Sequence, residues 1–227
     1  MARIARVVAV GLPHHVTQRG NNRTDVFLDD EGRQRYLRLL VRYAAEFKLD
    51  IWAYCLMTNH VHLLAVPKQN YSLAQGIGRT NLTYTQYANT RYHRTGRLWQ
   101  NRFFSCPVEA ESYLWAVARY IETNPVRAKL VTIPWEYQWS SARHHVDGMP
   151  DLVVGESQWL EPFQRNAYRE YLSGEAASDA ALIRRQTAQG RPVGNTGFVA
   201  QLAARLGRVL NARTRGRPRT QQPADSS

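Results

Sequence analysis

Leu49-Asp50-Ile51-Trp52-Ala53-Tyr54-Cys55-Leu56 and His60-Val61-His62-Leu63-Leu64-Ala65-Val66 flank the short Met57-Thr58-Asn59 and end at Pro67. Apolar, aromatic and β-branched runs of this length, bounded by turn formers, are strand signals. Asn59 suits the turn of a hairpin. Residues two apart in a strand point to one face. His60 and His62 therefore stand side by side, a pair suited to clasping one divalent metal. Such a pair means little alone in a chain of seven histidines. It gains weight from a second stretch, Arg119-Tyr120-Ile121-Glu122-Thr123-Asn124-Pro125-Val126-Arg127-Ala128, where a tyrosine and an asparagine lie four apart at the end of a helical pattern.

Upstream of the hairpin, residues 14 to 20 read as a strand and Asn21-Asn22 as a turn. Asp29 and Asp30 are helix-capping candidates. They precede Tyr36, Leu39, Leu40, Tyr43 and Phe47, which recur at helical spacing. Downstream, Ser72-Leu73-Ala74-Gln75 matches a capping box and opens a helix to about Arg91, which Gly96 follows. Leu98 to Val108 are expected to form a fourth strand, and Glu109 to Thr123 a third helix stopped by Pro125. Pro134, Trp135 and Trp139 mark an aromatic connector with a further short helix. The order strand, helix, strand, strand, helix, strand predicts an α+β fold, a ferredoxin-like antiparallel sheet covered by helices.

The net charge of +12, from 30 basic and 18 acidic residues, points to a polyanionic partner, most simply nucleic acid. No apolar run has the length of a membrane-spanning helix. The apolar run near the N-terminus is short and ends at Pro13-His14-His15, which argues against a signal peptide. Cys55 and Cys106, without a CxxC pair, fit a reducing cytoplasm and no thiolate metal site. After about residue 150 the character changes. Gln158 to Leu172 reads as another helix. From Arg184 to Thr220 there are nine arginines and no acidic residue. Phe198, Leu202, Leu206 and Val209 keep helical spacing there, so a helical, basic C-terminal extension is expected, partly disordered.

At 100° per residue, Tyr113, Ala116, Tyr120 and Asn124 fall close to one line of the third helix. Leu114, Val117 and Ile121 form the adjoining apolar face. If that helix lies on the sheet face carrying His60 and His62, two imidazoles, an amide and a phenol converge. A phenol is a weak nucleophile at neutral pH. A divalent ion on a phosphate oxygen stabilises the charge that develops when a phosphodiester is attacked. Two imidazoles and an amide leave that ion its full charge. Mg²⁺ prefers oxygen ligands and Mn²⁺ suits a mixed site, so either is expected. Tyr113 is a rival nucleophile on the same face, and a residue before proline tends to leave the helical line, which bears on Asn124.

His60-Val61-His62 resembles the His-hydrophobic-His motif of single-tyrosine HUH endonucleases. Within these the chain is most similar to the REP-associated tyrosine transposases, relatives of the IS200/IS605 transposases. Supporting segments are Pro13 to Asn22, Met57 to Leu64, Leu98 to Phe103 and Tyr120 to Ala128, which together span roughly residues 10 to 146. The resemblance implies a catalytic domain over 1–150, and the change of character beyond it suggests a helical connector over 151–183 and a basic DNA-binding extension over 184–227. It implies Tyr120 as nucleophile, forming a 5′-phosphotyrosine and releasing a 3′-hydroxyl. His60, His62 and Asn124 match the metal ligands. The implied substrate is single-stranded DNA of short extragenic palindromes that form hairpins, with no small-molecule substrate and no membrane. The protein is expected as a monomer or a homodimer.

Arginines such as Arg102 and Arg127 are expected to contact phosphates, and Trp99 to stack an unpaired base or pack in the core. Arg19, Asn21, Asn22 and Arg23 form a polar loop suited to DNA. Arg215, Arg217 and Arg219, in Arg215-Gly216-Arg217-Pro218-Arg219, resemble an A·T-reading minor-groove arm; a solvated basic tail is the other reading. Two rivals remain at this stage. One is a hairpin-binding regulator that cuts nothing. The other is a metal-dependent hydrolase that uses water.

Overall fold

The computed structural model describes residues 6–155, 159–174 and 179–210. Four strands form one antiparallel sheet in the order β2-β3-β1-β4: β1 (His14–Arg19), β2 (Leu49–Leu56), β3 (His60–Pro67) and β4 (Phe104–Pro107). Helix α1 (Asp30–Glu46) joins β1 to β2, and α2 (Ser72–Arg91) joins β3 to β4. This is the ferredoxin-like β-α-β-β-α-β order, as the strand and helix signals predicted.

Alternation sorts the sheet. Val16, Val61, Leu63 and Ala65 face α1 and α2, where Tyr36, Leu40, Leu73, Ile77 and Tyr84 complete one core. Ala53, Cys55, Leu64 and Cys106 face the other way, under α3 (Ala110–Glu122), α6 (Arg165–Ser173) and α7 (Asp179–Gln189). Between them come α4 (Asn124–Arg127) and α5 (Ala142–Asp147), and α8 (Thr196–Leu206) follows. Helix α8 packs through Leu202 on Val7 and Ala9 of the N-terminal segment.

Several local expectations need correction. Asp29 caps α1 by accepting from Gly32 N at 2.7 Å, but the Ser72 capping box does not form. Ser72 lies inside the first turn, Tyr71 takes the cap position, and the Ser72 hydroxyl accepts from Gln69 N. The fourth strand is only Phe104–Pro107. Leu98, Trp99 and Phe103 turn instead into the core beneath α1 and α2. The helix expected from Gln158 starts at Arg165, after a 3-10 turn at Pro162–Gln164; Gln158 itself lies outside the described residues. Pro125 does not end the helical path, because it sits in the first turn of α4, where its missing N–H costs nothing. Residues 183 and 184, on either side of the expected connector boundary, both lie inside α7.

Helix α3 buries more than its apolar stripe, because α6 and α7 cover its flank. Arg119 donates to the carbonyl of Gly174. Glu122, with no exposed surface, accepts from Ser141 Oγ at 2.6 Å, His145 Nδ1 at 2.6 Å and Tyr168 Oη at 2.8 Å. One carboxylate thus ties α3 to α5 and α6, and three donors offset its desolvation. Glu122→Ala leaves His145 Nδ1 and Tyr168 Oη buried without their acceptor. We expect a loss of about 3–5 kcal/mol in urea unfolding, whereas Glu111→Ala, on the exposed first turn of α3, stays within about 0.5 kcal/mol.

Candidate active site

The register of β1 on β3 sets Arg19 against His60, Thr17 against His62 and His15 against Leu64. Paired residues share a face, so His15, Thr17 and Arg19 join the two histidines on the face under α3. Tyr120 closes the group from α3. Its ring centroid lies 5.6 Å from that of His62 and 5.5 Å from that of His15, both edge-on, and His60 and His62 are 5.0 Å apart. These side chains line a pocket of about 500 Å³ together with Gln100, Phe104, Asn124, Arg127, Arg184 and Thr187.

The hydrogen bonds decide which ring nitrogens are free. Asn59 Nδ2 donates to Arg23 O at 3.0 Å, which points Asn59 Oδ1 at His60 Nδ1, 2.7 Å away. A carboxamide oxygen only accepts, so His60 carries its proton on Nδ1 and keeps the Nε2 lone pair. His62 Nδ1 lies 2.9 Å from His15 Nε2, which leaves His62 Nε2 unengaged. Asn124 Nδ2 donates to Tyr120 O and Ile121 O at 3.0 and 3.3 Å, leaving its Oδ1 available. The Tyr120 hydroxyl has no hydrogen-bond partner among the described residues.

The pocket lining contains no acidic side chain and three arginines, Arg19, Arg127 and Arg184. Arg127 lies over the Tyr120 ring, 4.4 Å from Cζ to centroid, and donates to Tyr120 O and Thr123 Oγ1. Desolvation lowers its pKa from the ordinary arginine value, and Arg184 lowers it further. Burial pushes the imidazoles the same way, toward neutrality. His60 falls to about 4, with Arg19 and Arg127 adding to the effect; His15 falls to about 3; and His62 lies well below its ordinary value. Neutral imidazoles are metal ligands. Among the described residues no three His, Cys, Asp or Glu side chains gather as a ligand set. A metal here would therefore rest on two imidazoles and oxygen donors, which the two Nε2 lone pairs and the Asn124 amide oxygen fit.

His60, His62, Tyr120, Asn124, Arg19 and Arg127 thus meet in one pocket. Tyr113 does not line it; it packs against the core under α3. Asn21, Asn22 and Arg23 form a 3-10 turn beside it, with Asn22 and Arg23 at positive φ. Trp99 has little face left for a base. It is 8% exposed, packs on Tyr36 and Tyr84, and donates to Asn81 O. Arg102 lines a separate cleft of about 560 Å³ against α2, with Arg6, Arg97 and Gln18. Arg215, Arg217 and Arg219 lie outside the described residues. Sequence reasoning missed His15, Asn59, Arg184 and Thr187. His15 and Asn59 left a local signal, since His15 shares the alternation of Thr17 and Arg19 on a predicted strand and Asn59 precedes His60.

The matching family model is described as "Transposase IS200 like" and covers residues 9–124, half of the chain. The chain belongs to the IS200-like transposase family. A solved structure described as a REP-associated tyrosine transposase bound to a REP hairpin shares the fold. It has a TM-score of 0.56 at 17% identity, over 71% of this chain and 98% of that one. A structure from Deinococcus radiodurans, described as that of a transposase, is 18% identical over 57% of this chain and 92% of that one, with a TM-score of 0.38. No curated protein sequence matches the chain.

The buried imidazoles make stability depend on pH. His14 also falls to about 4 through burial; it accepts from Ala9 N and donates to Leu12 O. Below the unfolded histidine pKa of about 6.5, the unfolded chain binds protons that the folded chain refuses. Stability is therefore full above that pH and is lost as pH falls toward the folded values. Each such histidine contributes a slope of up to about 1.4 kcal/mol per pH unit. Urea unfolding at pH 7 and pH 5 should show the decline, and His14→Gln, which lies outside the pocket, should make it shallower by one histidine's share.

Proposed function

We propose that this transposase-family chain is a metal-dependent single-strand DNA endonuclease and strand transferase with Tyr120 as its nucleophile. The observation that carries the proposal is a Tyr120 hydroxyl in an acid-free pocket with His60 and His62, both Nδ1 atoms engaged, while the hydroxyl and both Nε2 atoms have no partner among the described residues. Mg²⁺ or Mn²⁺ would be held by His60, His62 and Asn124. When bound, it supplies Lewis-acid stabilisation of charge on the phosphoryl oxygens.

The phenolic oxygen of Tyr120 attacks phosphorus, and its proton leaves to solvent through the open pocket. The bond from phosphorus to the 3′-oxygen breaks, and that oxygen takes up a proton. The products are a 5′-phosphotyrosine and a free 3′-hydroxyl. Bond energy is kept in the covalent link, so a 3′-hydroxyl can reverse the step and join strands. Arg127 and Arg184 line the pocket, and their charge would favour the charge that builds on the non-bridging oxygens. Arg19 and the Asn21–Arg23 turn flank the pocket where the strand enters, and Arg102 with Arg6 and Arg97 offers further phosphate contacts.

Hairpin-forming DNA is the proposed substrate. The related fold described with a REP hairpin and the net charge of +12 support it. Cys55 and Cys106 are buried free thiols, in keeping with action in the cytoplasm on chromosomal DNA.

The test uses labelled single-stranded hairpin oligonucleotides from palindromes flanking the gene, with Mn²⁺ or Mg²⁺, analysed on denaturing protein gels. A DNA-linked band is expected from the wild type and none from Tyr120→Phe or with chelator. His60→Ala and His62→Ala should each lower its rate by about a hundredfold or more. Cleavage that persists in Tyr120→Phe without a linked band would point to water as nucleophile. Tight binding with no cleavage on any hairpin would leave a DNA-binding regulator.

A further inference from the structure

His62 cannot set its own tautomer. Its Nδ1 faces another imidazole, His15 Nε2, at 2.9 Å, and either nitrogen can be the donor. If His15 donates, His62 must carry its proton on Nε2, the only nitrogen left to bind a metal, and the ligand is lost. Asn59 settles this question for His60, but among the described residues no comparable acceptor touches His62.

The question is settled one step further back. His15 Nδ1 lies 2.7 Å from Thr187 Oγ1, and Thr187 Oγ1 lies 2.8 Å from Ile183 O. Two oxygens at 2.8 Å need a proton between them, and the carbonyl has none to give. The Thr187 hydroxyl proton is therefore committed to Ile183 O. Its oxygen can then only accept, so His15 carries its proton on Nδ1 and accepts at Nε2. His62 must donate from Nδ1, and its Nε2 lone pair is free. Cys106 Sγ, 3.3 Å from Thr187 Oγ1, occupies the other lone pair of the hydroxyl. Water has little access with which to reverse this order: Thr187, His15 and His62 are 2%, 1% and 5% exposed.

We infer that Thr187 and His15 are positioning residues that hold His62 in the only neutral tautomer able to ligate a metal. The inference rests on the proposed metal role of His60 and His62. It makes α7 part of the catalytic unit. Thr187 lies 172 positions from His15 in the chain and beyond the residues that the family model matches. Partners behind a ligating imidazole fix its ring and tautomer, and losing one costs about ten- to a hundredfold in metal affinity.

Long-range ¹H–¹⁵N spectra of the metal-free full chain, labelled at histidine, read the tautomers directly. The expected result is Nδ1–H on both His15 and His62. An Nε2–H on His62 overturns the inference, and this measurement needs no variant. Mn²⁺ affinity, followed by the electron paramagnetic resonance of the free ion, supplies the second arm. Thr187→Val, nearly isosteric, should weaken binding by about ten- to a hundredfold. Thr187→Ser, which keeps the hydroxyl, should remain within about threefold of the wild type. Thr187→Val binding as tightly as the wild type, while His60→Ala/His62→Ala loses Mn²⁺, overturns the relay alone. A wild type that binds no tighter than that double variant overturns the metal role itself, and the relay with it.

Discussion

The antiparallel pairing of β1 with β3 is the constraint on which the site depends. It sets Arg19, Thr17 and His15 against His60, His62 and Leu64, so polar side chains collect at one end of a sheet face that is otherwise apolar. A slip of one residue would turn the imidazoles into the Tyr36–Tyr84 core and bring Val61 and Leu63 to the pocket. The apolar half of each strand therefore fixes the chemical half. Burying imidazoles costs free energy unless their polar atoms are paired. Here Asn59, His15 and Thr187 engage one nitrogen of each ring, which leaves the other nitrogen of His60 and of His62 for use.

Charge adds a second constraint. Arg19, Arg127 and Arg184 line the pocket without a carboxylate among them. On the α2 side of the sheet, burial and Arg102 lower Arg6 to about 10. Guanidiniums so placed, with no carboxylate partner among the described residues, repel one another, and a polyanion relieves that repulsion. Gln100 lines both the pocket and the second cleft, so the two basic surfaces meet at the β4 side of the sheet. A nucleic acid strand can follow such a surface without leaving positive potential.

Much of this was legible in the sequence, for particular physical reasons. The hairpin and β1 announce themselves by period and by bounding turn residues. The line through Ala116, Tyr120 and Asn124 follows from helical geometry, and the small Ala116 allows the close approach. What failed was decided by tertiary competition. Trp99 and Phe103 have strand-like composition, but the gap beneath α1 and α2 takes their rings. Ser72 has a capping sequence, but its hydroxyl serves Gln69 N from inside the helix. Arg119 and Glu122 lie where an amphipathic helix should be polar, and α6 and α7 cover them. Thr187 and Arg184 carry no local mark at all, because their significance arises only where α7 meets β1.

Helix α3 shows why the C-terminal helices belong to the same unit. The proposed reaction requires Tyr120 at a fixed distance from His62, and a helix packed on a sheet by one stripe alone can still slide or roll. On the sheet side, Val117 and Ile121 anchor α3 in the core. Near its C-terminal end, two residues from Tyr120, Glu122 is held by Ser141, His145 and Tyr168. At its end, Arg127 bonds back to Tyr120 O while lying on the ring. The proposed nucleophile is thus held through the core, through Glu122 and through Arg127. The α5–α7 segment supplies the grip on Glu122 and, through Thr187, the bond behind His15, so it bears at once on the position of Tyr120 and on the tautomer of His62.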